Sequence, residues 1–177
     1  MPVRAELDQR ARQVRLLLLD VDGVLTDGTL YYSGDGEALK GFNIQDGLGI
    51  KMLQASGVEV AIITGRTSRA LEVRAQNLGI RHLYQGAQRK VTALADVLRV
   101  LNLSAESAAC MGDDLPDLPL FVRCGFAAAV PDAPEPVRRR AHYVTRQAGG
   151  RGAVREVCEL IMAAQGTLEA QLAPYLE

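Results

Sequence analysis

Apolar positions fall along the chain in two patterns, short unbroken runs and helical stripes, with polar turns between them. Leu16 to Leu19 is an unbroken run closed by Asp20, Asp22 and Gly23, the signature of a strand buried on both faces. Val58 to Gly65 repeats the design with β-branched residues. Between the two, residues 28–43 hold two short segments around Ser33-Gly34-Asp35-Gly36, which is hairpin turn chemistry. Asp46 reads as the N-cap of a helix from Gly47 to Ala55, with Ile50, Met52 and Leu53 on its apolar side and Gly57 at its end.

The second half continues the alternation. Ser68 predicts the cap of a helix through Leu71, Ala75 and Leu78, stopped by Gly79. A short strand at Ile80–Gly86 precedes a helix with Val91, Leu94, Ala95, Leu98 and Leu101 along one stripe. A strand running into Gly112-Asp113-Asp114, a short helix, the strand Phe126–Val130, a helical turn at Val137–Ala141 and a strand at His142–Thr145 follow. A last helix through Val154, Val157, Cys158 and Ile161 stops near Gly166. Strands alternating with helices predict an α/β fold, a three-layer Rossmann-like parallel sheet with a small β-hairpin insertion. No repeat, low-complexity stretch or linker divides residues 1–177, so one domain is expected, with a loosely held tail from Thr167.

Composition narrows the function classes. At 48% hydrophobic residues and a net charge of -1, the chain can bury a full core and is not disordered. With 20 basic against 21 acidic residues there is no cationic excess for nucleic acid. No apolar run is long enough to span a membrane, and residues 1–13 mix acids with arginines, unlike a secretory leader. Cys110, Cys124 and Cys158 form no CxxC pair and read as reduced thiols of a cytoplasmic protein.

The informative polar residues are those at the strand ends. Ligands of a parallel α/β sheet bind beyond the carboxyl ends of its strands, and these carry Asp20-Val21-Asp22, Thr64-Gly65-Arg66 and Gly112-Asp113-Asp114. Carboxylates so crowded call for a divalent cation with oxygen ligands, Mg²⁺ by preference. Of three lysines, Lys40, Lys51 and Lys90, the last begins a helix from which it can reach the same edge. A carboxylate can attack phosphorus, and a metal, a lysine, a hydroxyl and backbone N–H groups can neutralise and position the transferring group. Two acids spaced as Asp20 and Asp22 point the same way from a strand end and can serve as nucleophile and general acid/base.

DVDGVLTDG, IITGR, Lys90 and GDDLPD, in that order, resemble the four motifs of the haloacid dehalogenase superfamily of phosphatases. FNIQDGLGI, Arg74 after TGR, HLYQG before Lys90 and AGGRGAVRE resemble more narrowly its branch acting on phosphorylated keto-acid sugars, over about Arg15 to Gly166. The resemblance implies Asp20 as nucleophile, Asp22 as acid/base, and Mg²⁺ held by Asp20, the Asp22 carbonyl and Asp113. It implies that Thr64 and Lys90 hold the phosphoryl group. Asp22, Asn43, Asp46, Gly47, Lys51, Gly65, Arg66, Arg74 and Lys90 would contact a sugar-acid phosphate, whose negative charges suit arginine. Some relatives carry arginine at the position of Lys51. No cap domain fits between the motifs, and the branch's solution is a homotetramer whose hairpins pair. Leu30, Tyr31 and Tyr32, which would be an exposed apolar strand in a monomer, fit that role.

Several residues have plainer readings. Asp27 suits a turn, Asp114 can steer Asp113, and Asp117 is an acid favoured at a helix start. Gly149, Gly150 and Gly152 suit a tight connection, Arg138 to Arg140 a solvated helix face, and His82 and His142 structural positions. A response-regulator receiver uses similar parts but places its second acidic group before the lysine, whereas Asp113 and Asp114 follow Lys90. A non-catalytic tetramerisation module would not need every catalytic position. A phosphatase of a nonulosonate 9-phosphate is the remaining alternative, since such sugar acids differ by few groups.

Overall fold

The computed structural model describes residues 2–34 and 36–176, so Asp35 of the expected turn lies outside the described residues. In chain order the elements are α1 (Pro2–Arg12), β1 (Leu16–Leu19), β2 (Tyr31–Ser33), β3 (Gly36–Leu39), α2 (Ile44–Ala55), β4 (Glu59–Ile63), α3 (Arg69–Leu78), β5 (His82–Tyr84) and α4 (Lys90–Leu101). They continue with β6 (Ala108–Gly112), α5 (Leu118–Phe121), β7 (Phe126–Ala129), α6 (Glu135–Arg138), β8 (Tyr143–Val144), α7 (Ala153–Gln165) and α8 (Leu168–Leu172).

Six strands form one parallel sheet in the order β5-β4-β1-β6-β7-β8, and β2 and β3 form a separate antiparallel hairpin. Every residue of β1, β6 and β7 is buried, as expected for strands covered on both faces by helices. The fold is the expected three-layer α/β arrangement, with α1, α2 and α7 packed together and α4 against α5. The order runs outward from β1 to β5 and then back across to β6, so β1 lies at the topological switch point, where such sheets open a ligand crevice. Register does the rest. Leu19 pairs with Ile62 and with Met111, which brings the residues after β1, β4 and β6 out at one level.

Two local expectations are corrected, and two terminal helices add to the reading. The α2 helix begins at Ile44, capped by Asn43, whose side chain accepts from the N–H of Gln45 at 2.7 Å and of Asp46 at 3.2 Å. The α4 stripe is rotated: Lys90, Ala93, Leu94 and Val97 are buried while Ala95 is exposed, because Lys90 is drawn in by carboxylates. The α1 helix is not foreshadowed by periodicity. Leu7 packs against the core and Ala11 is buried, and Arg10 and Arg12 tie the helix down through the carbonyls of Gly125 at 3.0 Å and Ala164 at 2.9 Å. In the tail, residues 168–172 are helical, with Leu168 and Leu172 packed against the core. The three cysteines are buried and unpaired. Among the described residues, no helix is long and apolar enough to cross a membrane.

Candidate active site

A cleft of about 460 Å³ opens over the carboxyl ends of β1, β4 and β6, lined among others by Asp20, Asp22, Thr64, Arg66, Lys90 and Asp113. A larger cavity of about 630 Å³ at the opposite strand ends, beside Arg15 and Val58, has no carboxylate in its lining.

Each wall of the cleft is held by local chemistry. The Asp20 N–H donates to the Met111 carbonyl at 3.1 Å, continuing the ladder one residue past β1. The chain then turns sharply, with the N–H groups of Val24, Leu25 and Thr26 all donating to the Val21 carbonyl at 2.9–3.2 Å. The buried Thr26 hydroxyl accepts from the N–H of Gly23 at 3.3 Å and of Gly28 at 3.2 Å. Gly23 has φ +91°, and a Cβ there would lie 2.2 Å from Asp113 Oδ2, so glycine alone lets the β1 and β6 loops meet. Gly149 is pressed against this turn, with a Cβ there falling 1.8 Å from the Gly23 carbonyl oxygen. That supports the reading of the Gly149–Gly152 stretch as a tight connection.

Lys90 is the centre of the electrostatics. Its Nζ donates to Asp20 Oδ1 and to Asp117 Oδ1, both at 2.6 Å, with the side chain 6% exposed. Burial acts against its charge, but the two carboxylates prevail and hold its pKa above the ordinary value. Asp117 also accepts the N–H of Asp113 at 3.0 Å and of Asp114 at 3.3 Å through Oδ2. Burial, then the Asp117 charge, pushes the Asp20 carboxyl up to about 6 against the pull of Lys90. Burial, then Asp20 and Asp117, pushes Asp113 up to about 7. Asp20, Asp113 and Asp117 each present an oxygen within 4.8 Å of the others. An all-oxygen cluster whose members resist ionising together is one that a divalent cation would relieve, and the donor set suits Mg²⁺. Asp117 has both oxygens engaged by Lys90 and backbone, which leaves Asp20 and Asp113 as the better ligands.

On the other side, Thr64 is buried, its N–H donating to the Tyr84 carbonyl at 2.9 Å and its hydroxyl accepting from the Arg66 N–H at 3.3 Å. Arg66 Nε lies 3.7 Å from Asp22 Oδ2.

The family profile described as haloacid dehalogenase-like hydrolase matches residues 80–157. The chain is 51% identical over 168 residues to the 3-deoxy-D-manno-octulosonate 8-phosphate phosphatase of Escherichia coli K12, covering 95% of this chain and 89% of the relative. The chain belongs to the haloacid dehalogenase-like hydrolases. Among solved structures of this hydrolase family, the 3-deoxy-D-manno-octulosonate 8-phosphate phosphatase of Yersinia pestis superimposes with a TM-score of 0.91 at 51% identity, over 93% of this chain and 89% of that one. The phosphatase of the same name from Moraxella catarrhalis, in complex with magnesium, phosphate and KDO, gives a TM-score of 0.93 at 44% identity, over 96% of this chain and 98% of that one.

In this hydrolase the structure brings together Asp20, Asp22, Thr64, Gly65, Arg66, Lys90 and Asp113. Asn43, Asp46, Gly47, Lys51 and Arg74 do not line the cleft of the chain. Arg74 Nη2 donates to the Asn43 carbonyl at 3.0 Å, and its guanidinium lies 5.8 Å from the Phe42 ring centroid. Gly47 lets it lie there, since a Cβ would fall 2.3 Å from Arg74 Nη2. Asp46 is neither cap nor cleft residue: at 1% exposure it accepts the N–H of Arg155 at 2.8 Å and of Gly152 at 3.3 Å, tying α2 to the start of α7. Lys51 is exposed on α2.

Two site residues escape a reading of the sequence. Asp117 starts a helical turn as expected, yet also clasps Lys90; its spacing of four from Asp113 was the available signal. Lys40 donates its ammonium to Asp22 Oδ1, and no spacing announces that contact. Asp27 takes the Thr29 N–H at 3.0 Å, a turn contact. His142 Nδ1 accepts the Ala127 N–H at 2.9 Å, a structural role, and Arg138 to Arg140 are exposed.

Proposed function

We propose that this hydrolase is a Mg²⁺-dependent 3-deoxy-D-manno-octulosonate 8-phosphate phosphatase, releasing the free sugar acid and phosphate in lipopolysaccharide precursor synthesis in the cytoplasm. The observation carrying the reading is Asp20 paired with Lys90 and set beside Asp113 at the switch point, in a chain that matches phosphatases of that name over nearly its whole length.

Asp20 is assigned as nucleophile. Its oxygen attacks the phosphorus, the bond to the sugar oxygen breaks, and Asp22 delivers a proton to that departing oxygen. Asp22 then takes a proton from the water that attacks the acyl phosphate, and Asp20 is regenerated. Lys90 and the Thr64 hydroxyl hold the phosphoryl oxygens, with the Gly65 N–H group beside them. Bound by Asp20, Asp113 and the Asp22 carbonyl, Mg²⁺ supplies the positive charge that lets an anionic nucleophile approach an anionic phosphate. Arg66, on the rim, is assigned to the substrate carboxylate through its planar fork.

Residues 1–177 are read as one hydrolase domain working as a homotetramer. Support comes from the exposed apolar side chains of the hairpin and the start of α2, with Leu39 68% and Ile44 81% exposed beside Tyr31 and Tyr32. In such an assembly Asn43, Lys51 and Arg74 are assigned to wall the pocket of an adjacent copy. Phosphate release from a panel of sugar-acid phosphates, with Mg²⁺ and with EDTA, tests the function. The octulosonate 8-phosphate should turn over fastest and only with metal. A preference for a nonulosonate 9-phosphate, or full activity in EDTA, would overturn the reading.

A further inference from the structure

Among the described residues, the contacts that tie the β2–β3 hairpin to the cleft are polar. Tyr31, Tyr32 and Ser33 are all exposed. Lys40, which follows β3, turns the other way: its side chain is 3% exposed and its ammonium donates to Asp22 Oδ1. The second oxygen, Oδ2, lies 3.7 Å from Arg66 Nε, and Arg66 Nη2 donates to the Tyr32 hydroxyl at 2.8 Å. Lys40, Asp22, Arg66 and Tyr32 therefore form a polar chain that joins the hairpin to the turns after β1 and β4. Asp22 and Arg66 line the cleft, whereas Lys40 is not among its lining residues.

We infer that Lys40 is a positioning residue for Asp22. By holding Oδ1 with a charge-assisted hydrogen bond it fixes the plane of the carboxyl and so the direction of Oδ2, which has the longer contact to Arg66. The proton passes from Oδ2 to the sugar oxygen as that oxygen leaves phosphorus and Asp20 bonds to it; Lys40 keeps its own protons throughout. The inference rests on the reading of Asp22 as acid/base. It also gives the hairpin a chemical purpose, because any movement of the hairpin moves the acid.

Rapid-quench measurement of phosphoenzyme formation in the full-length protein tests this with two substrates. The octulosonate 8-phosphate leaves as an alkoxide and needs the proton, whereas p-nitrophenyl phosphate leaves as a stable phenolate and does not. Misplacing a catalytic group by about 1 Å can cost about 10²-fold, so Lys40→Met should shift the ratio of the two rates by about 10- to 100-fold against the sugar phosphate. Lys40→Arg, which keeps charge and donors, should restore most of the ratio. Lys40→Gln serves where the methionine variant fails to fold. An unchanged ratio, whether both rates fall together or neither falls, would overturn the role of Lys40. Asp22→Asn run beside it separates the two claims: if that variant also leaves the ratio unchanged, the acid/base reading of Asp22 fails first.

Discussion

Acidification should stabilise the metal-free protein, against the usual behaviour of carboxylates. Asp20 and Asp113 have carboxyls raised from 3.8 to about 6 and about 7, by burial first and by neighbouring carboxylates second. A folded pKa above the unfolded one means that the native state binds more protons. The stabilisation is complete below the unfolded value and is lost as pH rises through the folded values, here 6 to 7. At about 1.4 kcal/mol per pH unit, moving from about pH 8 to about pH 5 recovers about 1.4 kcal/mol at Asp20. Asp113 would recover twice that, but it is partly open to solvent and shares its repulsion with Asp20, so about 2–3 kcal/mol for the pair is the expected gain. His142, whose pKa burial lowers, pulls the other way as it gains a proton, and trims the figure further. Urea unfolding in EDTA at several pH values measures the slope, with constant m-values confirming that one transition is followed. Saturating Mg²⁺ should abolish or invert the trend, because protons then compete with the ion for the same oxygens. A metal-free stability that is flat or falls toward pH 5, or a slope indifferent to Mg²⁺, would refute the placement of an ion between Asp20 and Asp113.

Asp20→Asn should lower kcat by at least about 10³ while raising metal-free stability, since it removes a nucleophile and a source of repulsion together; steady-state kinetics and urea melts on one preparation show whether both occur. Gly23→Ala combines a positive φ with a Cβ aimed at Asp113, so it should destabilise by about 1–2 kcal/mol and weaken Mg²⁺ activation by displacing that carboxylate. An Mg²⁺ titration of activity reads the second effect. Asp46→Ala leaves two N–H groups at the start of α7 without their acceptor and should cost about 2–4 kcal/mol in thermal or urea unfolding. Arg66→Ala should raise KM for the octulosonate 8-phosphate far more than for a small aryl phosphate; equal effects would remove it from reading the sugar acid.

The sequence by itself determined the strands, the helices between them and the three clusters of acids and hydroxyls at the strand ends. Those depend on periodicity and turn chemistry, which are local, and a parallel sheet has one edge at which such residues collect. Asp20, Asp22, Thr64, Lys90 and Asp113 were legible for that reason. The tertiary structure alone decided which charges meet. Asp117 reaches Lys90 because Gly112 has no Cβ to block it, a Cβ there falling 2.4 Å from the Asp117 side chain. Lys40 meets Asp22 across 18 positions of sequence, a contact that only the tertiary fold makes. Asp46, expected to cap α2, has its carboxylate claimed by the start of α7, and the cap falls to Asn43. Close approach between distant segments is set by packing and by missing side chains, and neither leaves a periodic trace in the chain.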